Sequence, residues 1–245
     1  MSKNILLVLG ASSDIGICIA RKFAQEGFDI QLAGRNSYNL ENDCNDLRIR
    51  YSVKANFYEL DALDINSHEN FVRSLPIMPT IVVSAIGLLG DQSESERLIK
   101  KNIKVIRTNF ESIVSLFSIF ANDFIDRGYG TLIGISSVAG DRGRASNYIY
   151  GSAKSGLNAF LSGLRNRLYP YGINVMTVKP GYVNTKMTLG LKLPKSLTTS
   201  PTKVAYFIYK AYKEKKDVLY VLPIWKLIMI IIMMIPESIF KKMKL

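Results

Sequence analysis

The segment "YGSAK" sets Tyr150 and Lys154 four residues apart. On a helix that spacing brings both side chains to one face. A tyrosine phenol ordinarily titrates near pH 10 and is a poor acid–base catalyst at neutrality. A neighbouring ammonium, or a positively charged ring, favours the phenolate and lowers that value. The pair thus suggests a proton donor to a carbonyl oxygen that is being reduced, with Lys154 tuning Tyr150. Taken alone it is weak, because the same spacing on a helix commonly reflects packing beside a solvated lysine.

A second group of residues suits a dinucleotide. "GASSDIG", Gly10 to Gly16, follows the apolar run "NILLVLG" and precedes a helical pattern through Ile19, Ala20, Phe23 and Ala24. At such a turn, free N–H groups and the helix dipole favour pyrophosphate, and glycine lets the phosphate approach. Ser12, Ser13 and Ile15 lie in this cradle, and either serine also suits a helix cap. About 20 residues on, NAD enzymes place a carboxylate for the ribose hydroxyls. Here the chain reads "AGRN", and Arg35 instead suits a 2′-phosphate by charge and by its forked donors, so NADP(H) is expected. Asp61, after the third apolar run, is placed to reach the adenine.

These residues need a scaffold, and the runs "NILLVLG", "FDIQLAG", "NFYELDA", "TIVVSAIG", "GTLIGISS", "INVMTVKPG" and "DVLYVLP" supply seven strands. Several are continuously apolar, as strands covered on both faces should be. Helical stretches separate them, notably 101–120, 150–167 and 201–213. The alternation predicts a single-domain, Rossmann-like, doubly wound parallel sheet of seven strands over 1–222, with an apolar and basic tail over 223–245. A chain of 245 residues can bury one large core. The start "MSKNILLVLG" reads as a strand, not a signal peptide. Cys18 and Cys44 fit no metal or disulfide pattern and suit a reducing cytoplasm. The lone His68, in the polar stretch "INSHEN", reads as exposed and without function.

Gly10-x5-Gly16, Asn109 in "RTNF", Ser137 in "GISS", Tyr150/Lys154 and "KPGYVNT" stand in the order and spacing of the short-chain dehydrogenases/reductases, and residues 4–222 resemble that family. The resemblance implies that Ser137 hydrogen-bonds the substrate carbonyl and that Lys154 holds the nicotinamide ribose. It further implies that Asn109 fixes a water in the proton relay, and that backbone at Val183, with Thr185, holds the carboxamide. Ala62, Ala85, Gly87, Pro180 and Gly181 complete the implied cofactor cleft. It also implies a homodimer or homotetramer through the helices after the fourth and fifth strands. Two departures stand out: Asp14 replaces the middle glycine of the family, where its carboxylate either weakens pyrophosphate binding or caps the helix, and "SAIG" replaces an asparagine-rich turn after the fourth strand.

The tail sharpens the substrate expectation. Leu227 to Ile235 is apolar without a break. From Lys192 onward eleven lysines face only Glu214, Asp217 and Glu237, so much of the net charge of +12 lies here. A helix over 224–235 would be about 18 Å long, too short to span a bilayer core of roughly 30 Å. It suits one leaflet, with Trp225 at the headgroups and Lys226, Lys241, Lys242 and Lys244 facing anionic lipid. It also suits packing against the protein's own core or a neighbouring subunit. Aromatics do not alternate with the lysines, which argues against nucleic acid. "SDIG", "AGRN", "GLLGDQ" and the tail resemble the branch that reduces a 2-keto pentose on a polyprenyl phosphate, the keto-reducing step of decaprenylphosphoryl-ribose epimerisation. Segment 189–200 is the expected substrate lid. Rival expectations are a soluble sugar nucleotide, sugar phosphate or steroid-like ketone, and a non-catalytic NADP-sensing scaffold. The expected location is cytoplasmic, peripheral on the inner face of the membrane.

Overall fold

The computed structural model describes residues 4–243. Its first unit runs β1 (Ile5–Leu9), α1 (Asp14–Gln25) and β2 (Asp29–Gly34). All five residues of β1 are buried, because helices cover both faces of the sheet. The Ser13 hydroxyl caps α1 by accepting from Gly16 N at 3.0 Å. Ile19, Ala20, Phe23 and Ala24 form the buried stripe of that helix. The chain continues through α2 (Glu41–Tyr51), β3 (Ala55–Glu59), α3 (His68–Ser74) and β4 (Ile81–Ser84). His68 is buried, contrary to its polar sequence surroundings, with Nδ1 2.9 Å from Ser115 Oγ. Burial pulls its pKa below the ordinary value of 6.5.

The helix expected over 101–120 is interrupted. After a short α4 (Gln92–Arg97), it divides into α5 (Ile99–Ile106), a π-helical turn at Arg107–Glu111, and α6 (Ser112–Arg127). Periodicity alone does not reveal a π-turn, since one inserted residue shifts the register while each flank stays helical. Next come β5 (Thr131–Ile135), α7 (Tyr148–Leu168), β6 (Asn174–Lys179) and the short pair β7 (Tyr182–Val183) and β8 (Thr198–Thr199). The chain closes with α8 (Pro201–Lys213), β9 (Val218–Tyr220), α9 (Pro223–Met234) and α10 (Glu237–Phe240).

The main sheet has the order β3-β2-β1-β4-β5-β6-β9, and every pairing is parallel. Strand order reverses between β1 and β4, which opens a crevice at their carboxyl ends. One core layer joins α1 and α8 to the sheet through Phe23, Val204 and Ile208. The opposite layer is built on Phe117, Phe120 and Phe124 of α6 and Leu157 and Leu161 of α7. A third, smaller cluster joins Val138, Trp225 and Met229, so α9 packs one face on the body of the protein. Its other face leaves Leu227 and Ile231 each 55% exposed and Met234 77% exposed. No helix among the described residues is long and apolar enough to cross a membrane.

Candidate active site

The buried stripe of α7 is Lys154, Leu157, Leu161, Leu164 and Leu168. Lys154 thus occupies a core position, only 2% exposed, and its Nζ donates to the Ile135 carbonyl at the end of β5 at 3.0 Å. Burial without a counter-charge pushes its pKa down to about 7. One turn earlier is Tyr150, whose ring centroid lies 5.8 Å from that Nζ. Burial pushes the Tyr150 phenol up to about 12, opposed by a hydrogen bond with Ser137. The expected lowering by Lys154 is therefore not found: the ammonium is tied to Ile135, and desolvation of the phenolate dominates. Tyr150 stands as a protonated donor, the form that carbonyl reduction requires.

Ser137 follows β5 in extended backbone, and its Oγ also accepts from Ala139 N at 3.1 Å. Asn109 sits inside the π-turn, fully buried. Its Nδ2 donates to Leu88 O at 2.7 Å and Val105 O at 2.8 Å, and its Oδ1 accepts from Leu88 N at 3.2 Å. The side chain of this residue, which the resemblance expects to fix a water, is thus committed to backbone. It fastens the backbone at Leu88, just beyond "SAIG", to α5.

Ser137, Tyr150 and Lys154 line one cavity of about 380 Å³. Ser12, Ser13, Ile15, Ala85 and Gly87 line its inner side, and Pro180, Gly181, Val183 and Thr185 its outer side. A second cavity, about 250 Å³, is lined by Gly10, Arg35, Asp61 and Ala62 and shares Ser12, Ser13, Ala85 and Gly87 with the first. Together they form one cleft across the switch point, with Arg35 at one end and Tyr150 at the other. Gly16 lines neither cavity: a β-carbon there would meet Gly10 O at 2.8 Å, so its role is close packing of α1 on the turn.

The cleft fits a dinucleotide by its backbone. Gly10 has φ +76°, and a β-carbon on it would fall 2.9 Å from Ile86 N, filling the cradle floor. Asp14 and Ile15 open α1, where N–H groups have no helical acceptor. Asp14 neither caps the helix nor lies free, because its Oδ2 accepts from Lys186 N at 2.6 Å, tying the cradle to the turn that leads into the expected lid at 189–200. That segment is anchored further by the β7–β8 pairing, and its Leu191 lines the larger cavity.

The tail helix closes the cleft, which its sequence did not announce. Trp225, expected among lipid headgroups, is 4% exposed and lines the larger cavity. Its Nε1 donates to Leu197 O at 3.1 Å, and its ring meets Tyr182 edge-on at 5.3 Å. At the other end, Arg142 Nη1 donates to the carbonyls of Ile232, Met233 and Ile235 at 3.1, 3.0 and 2.7 Å. A cation thereby caps the negative end of α9. Lys226, Lys241 and Lys242 are exposed, while Lys244 lies outside the described residues.

A parallel sheet with a dinucleotide cleft at its switch point, and a Ser–Tyr–Lys group inside that cleft, defines an oxidoreductase. The short chain dehydrogenase family model matches residues 4–194, and the chain belongs to that family. It is 32% identical over 243 residues to an uncharacterized oxidoreductase of Mycobacterium tuberculosis, covering 97% of this chain and 96% of that protein. It is 32% identical over 246 residues to another, from Streptomyces coelicolor, covering 97% and 95%. Among solved structures it resembles a short-chain dehydrogenase from Sphingobium yanoikuyae in complex with NADPH. The TM-score is 0.81 at 24% identity, covering 89% and 87%, a likeness of fold.

Proposed function

We propose that the protein is an NADPH-dependent carbonyl reductase acting on a keto-sugar carried on a polyprenyl phosphate, for cell-envelope polysaccharide. The observation that carries the reductase reading is the single cleft joining Arg35 to Ser137, Tyr150 and Lys154. Arg35 favours the 2′-phosphate of NADPH over the bare ribose of NADH. The reduced nicotinamide, when bound, supplies the hydride. Ser137 donates a hydrogen bond to the substrate carbonyl oxygen, and Tyr150 transfers its phenolic proton to that oxygen as negative charge develops there. Lys154, with its pKa about 7, is suited to return a proton to Tyr150 near neutrality. Asn109 holds the turn that borders this relay through its bonds to Leu88.

The lipid-linked substrate draws support from α9. One face of the helix lines the cleft through Trp225, while Leu227, Ile231 and Met234 on the other are exposed beside Lys226. An apolar face with flanking cations suits peripheral contact with an anionic leaflet on the cytoplasmic side. Self-association is supported by α5, whose Ile99, Ile103 and Ile106 are 68%, 46% and 37% exposed at helical spacing.

Isotope transfer tests the substrate. Protein supplied with NADPH deuterated at the transferred position and an extract containing membranes and cytosol should place deuterium in the lipid-phosphate fraction. Label confined to water-soluble products would keep the reductase and reject the polyprenyl carrier, leaving a sugar nucleotide or sugar phosphate.

A further inference from the structure

We infer that Arg144, with Asn147, forms a phosphate-binding subsite for the ketone substrate inside the catalytic cavity. The inference rests on the reductase reading and specifies the substrate's recognition group. Both residues line the larger cavity, in the segment between Ser137 and Tyr150. A turn in which Asn147 N donates to Arg144 O at 3.0 Å brings them together just before α7. Arg144 Nε, a donor, and Asn147 Oδ1, an acceptor, are each buried without a hydrogen-bond partner, and rotation of that amide exchanges its oxygen for the Nδ2 donor that an oxyanion needs. A buried donor left unmatched costs about 1–3 kcal/mol, more when the group is charged. Such an expense is sustained where a ligand completes the bonding.

The neighbouring polar groups are already engaged. Lys154 is held by Ile135, Trp225 Nε1 by Leu197, Ser137 by Ala139 N and Tyr150, and Thr188 Oγ1 by Val183 O at 2.7 Å. Lys186 also lines the cavity, but it is exposed and solvated. Arg144, half-buried with its Nε enclosed and unpartnered, therefore stands among the described residues as an unmatched cation of the cavity. Much of the remaining wall is apolar, including Leu89, Val138, Met187 and Leu191. A forked donor beside an amide, within an apolar wall, suits a phosphate oxyanion on an otherwise apolar or weakly polar molecule. A phosphodiester to a lipid and a free sugar phosphate share that chemistry.

The test uses the full chain saturated with NADP+, so that the cofactor's own phosphate sites are filled. Octyl phosphate, octanol and inorganic phosphate are titrated by calorimetry. The fluorescence of Trp225, the chain's only tryptophan and part of the cavity wall, reports occupancy. Octyl phosphate should bind at least about tenfold more tightly than octanol, and Arg144→Gln should abolish that preference while NADP+ affinity stays unchanged. Arg144→Lys should retain part of it, since the charge remains and the fork is lost. Inorganic phosphate binding as tightly as octyl phosphate would support the subsite and assign it to soluble phosphates. Equal affinity for octyl phosphate and octanol, or a preference that survives Arg144→Gln, would overturn the inference. Failure of the wild type to bind NADP+ would instead overturn the reductase reading beneath it.

Discussion

Gly181 and Trp225 touch so closely that a β-carbon on Gly181 would fall 1.9 Å from the indole Nε1. Gly181 belongs to the outer wall of the cofactor cleft, and Trp225 to the first turn of the tail helix. The contact makes the tail part of the active-site wall. Gly181→Ala must displace the indole and break its bond to Leu197, at a cost of about 1–3 kcal/mol for overpacking. The expected readouts are a red shift in the emission of the lone tryptophan and a thermal midpoint lower by several degrees.

Arg142 holds the opposite end of the tail through three carbonyls and Glu237. In Arg142→Ala those carbonyls lose their charged donor. Hydrogen exchange of the α9 amides should quicken by about tenfold or more, while the central strands keep their protection.

Arg35 lines the smaller cavity and is exposed toward it. Arg35→Ala should weaken NADPH by about 10- to 100-fold and leave NADH nearly unchanged, as calorimetry with each cofactor would show. An equal loss for both would mean that Arg35 does not meet the 2′-phosphate.

Lys154 links catalysis to stability. Its pKa falls from an ordinary 10.5 to about 7 on folding, with burial as the cause. Between those values the unfolded chain holds a proton that the folded one releases, so stability rises with pH through that window. Lys154→Met should therefore raise the cofactor-free midpoint at pH 7 by about 5 °C. It should also flatten the wild-type rise between pH 7 and pH 9, and it should reduce turnover at least about 100-fold. Calorimetric scans of both proteins across that range check the sign.

The sheet and the catalytic group were legible because they depend on local patterns. The seven apolar runs match the seven strands, and Tyr150, Lys154 and Ser137, grouped in sequence by resemblance to the family, line one cavity. What stayed hidden depends on contacts distant in sequence. His68 reads as polar surface, but Ser115 on α6, 47 residues away, holds its buried ring. Trp225 reads as an interfacial aromatic, because nothing local shows that Gly181 and Leu197 receive it. Asp14 reads as a flaw in the phosphate cradle until Lys186, 172 residues on, supplies its partner. Arg144 resembles any loop arginine in sequence, and only the cavity distinguishes it. The phenol's raised pKa was hidden too, since it comes from burial that only the folded cavity creates.

In the proposed reaction Tyr150 delivers the proton in a cofactor-driven reduction. The most direct measurement compares wild type with Tyr150→Phe for NADPH affinity by calorimetry and for deuteride transfer from labelled NADPH in the combined extract. The account predicts affinities within about twofold and transfer reduced at least about 1,000-fold in the variant. Transfer that persists in Tyr150→Phe at a rate near wild type would contradict it.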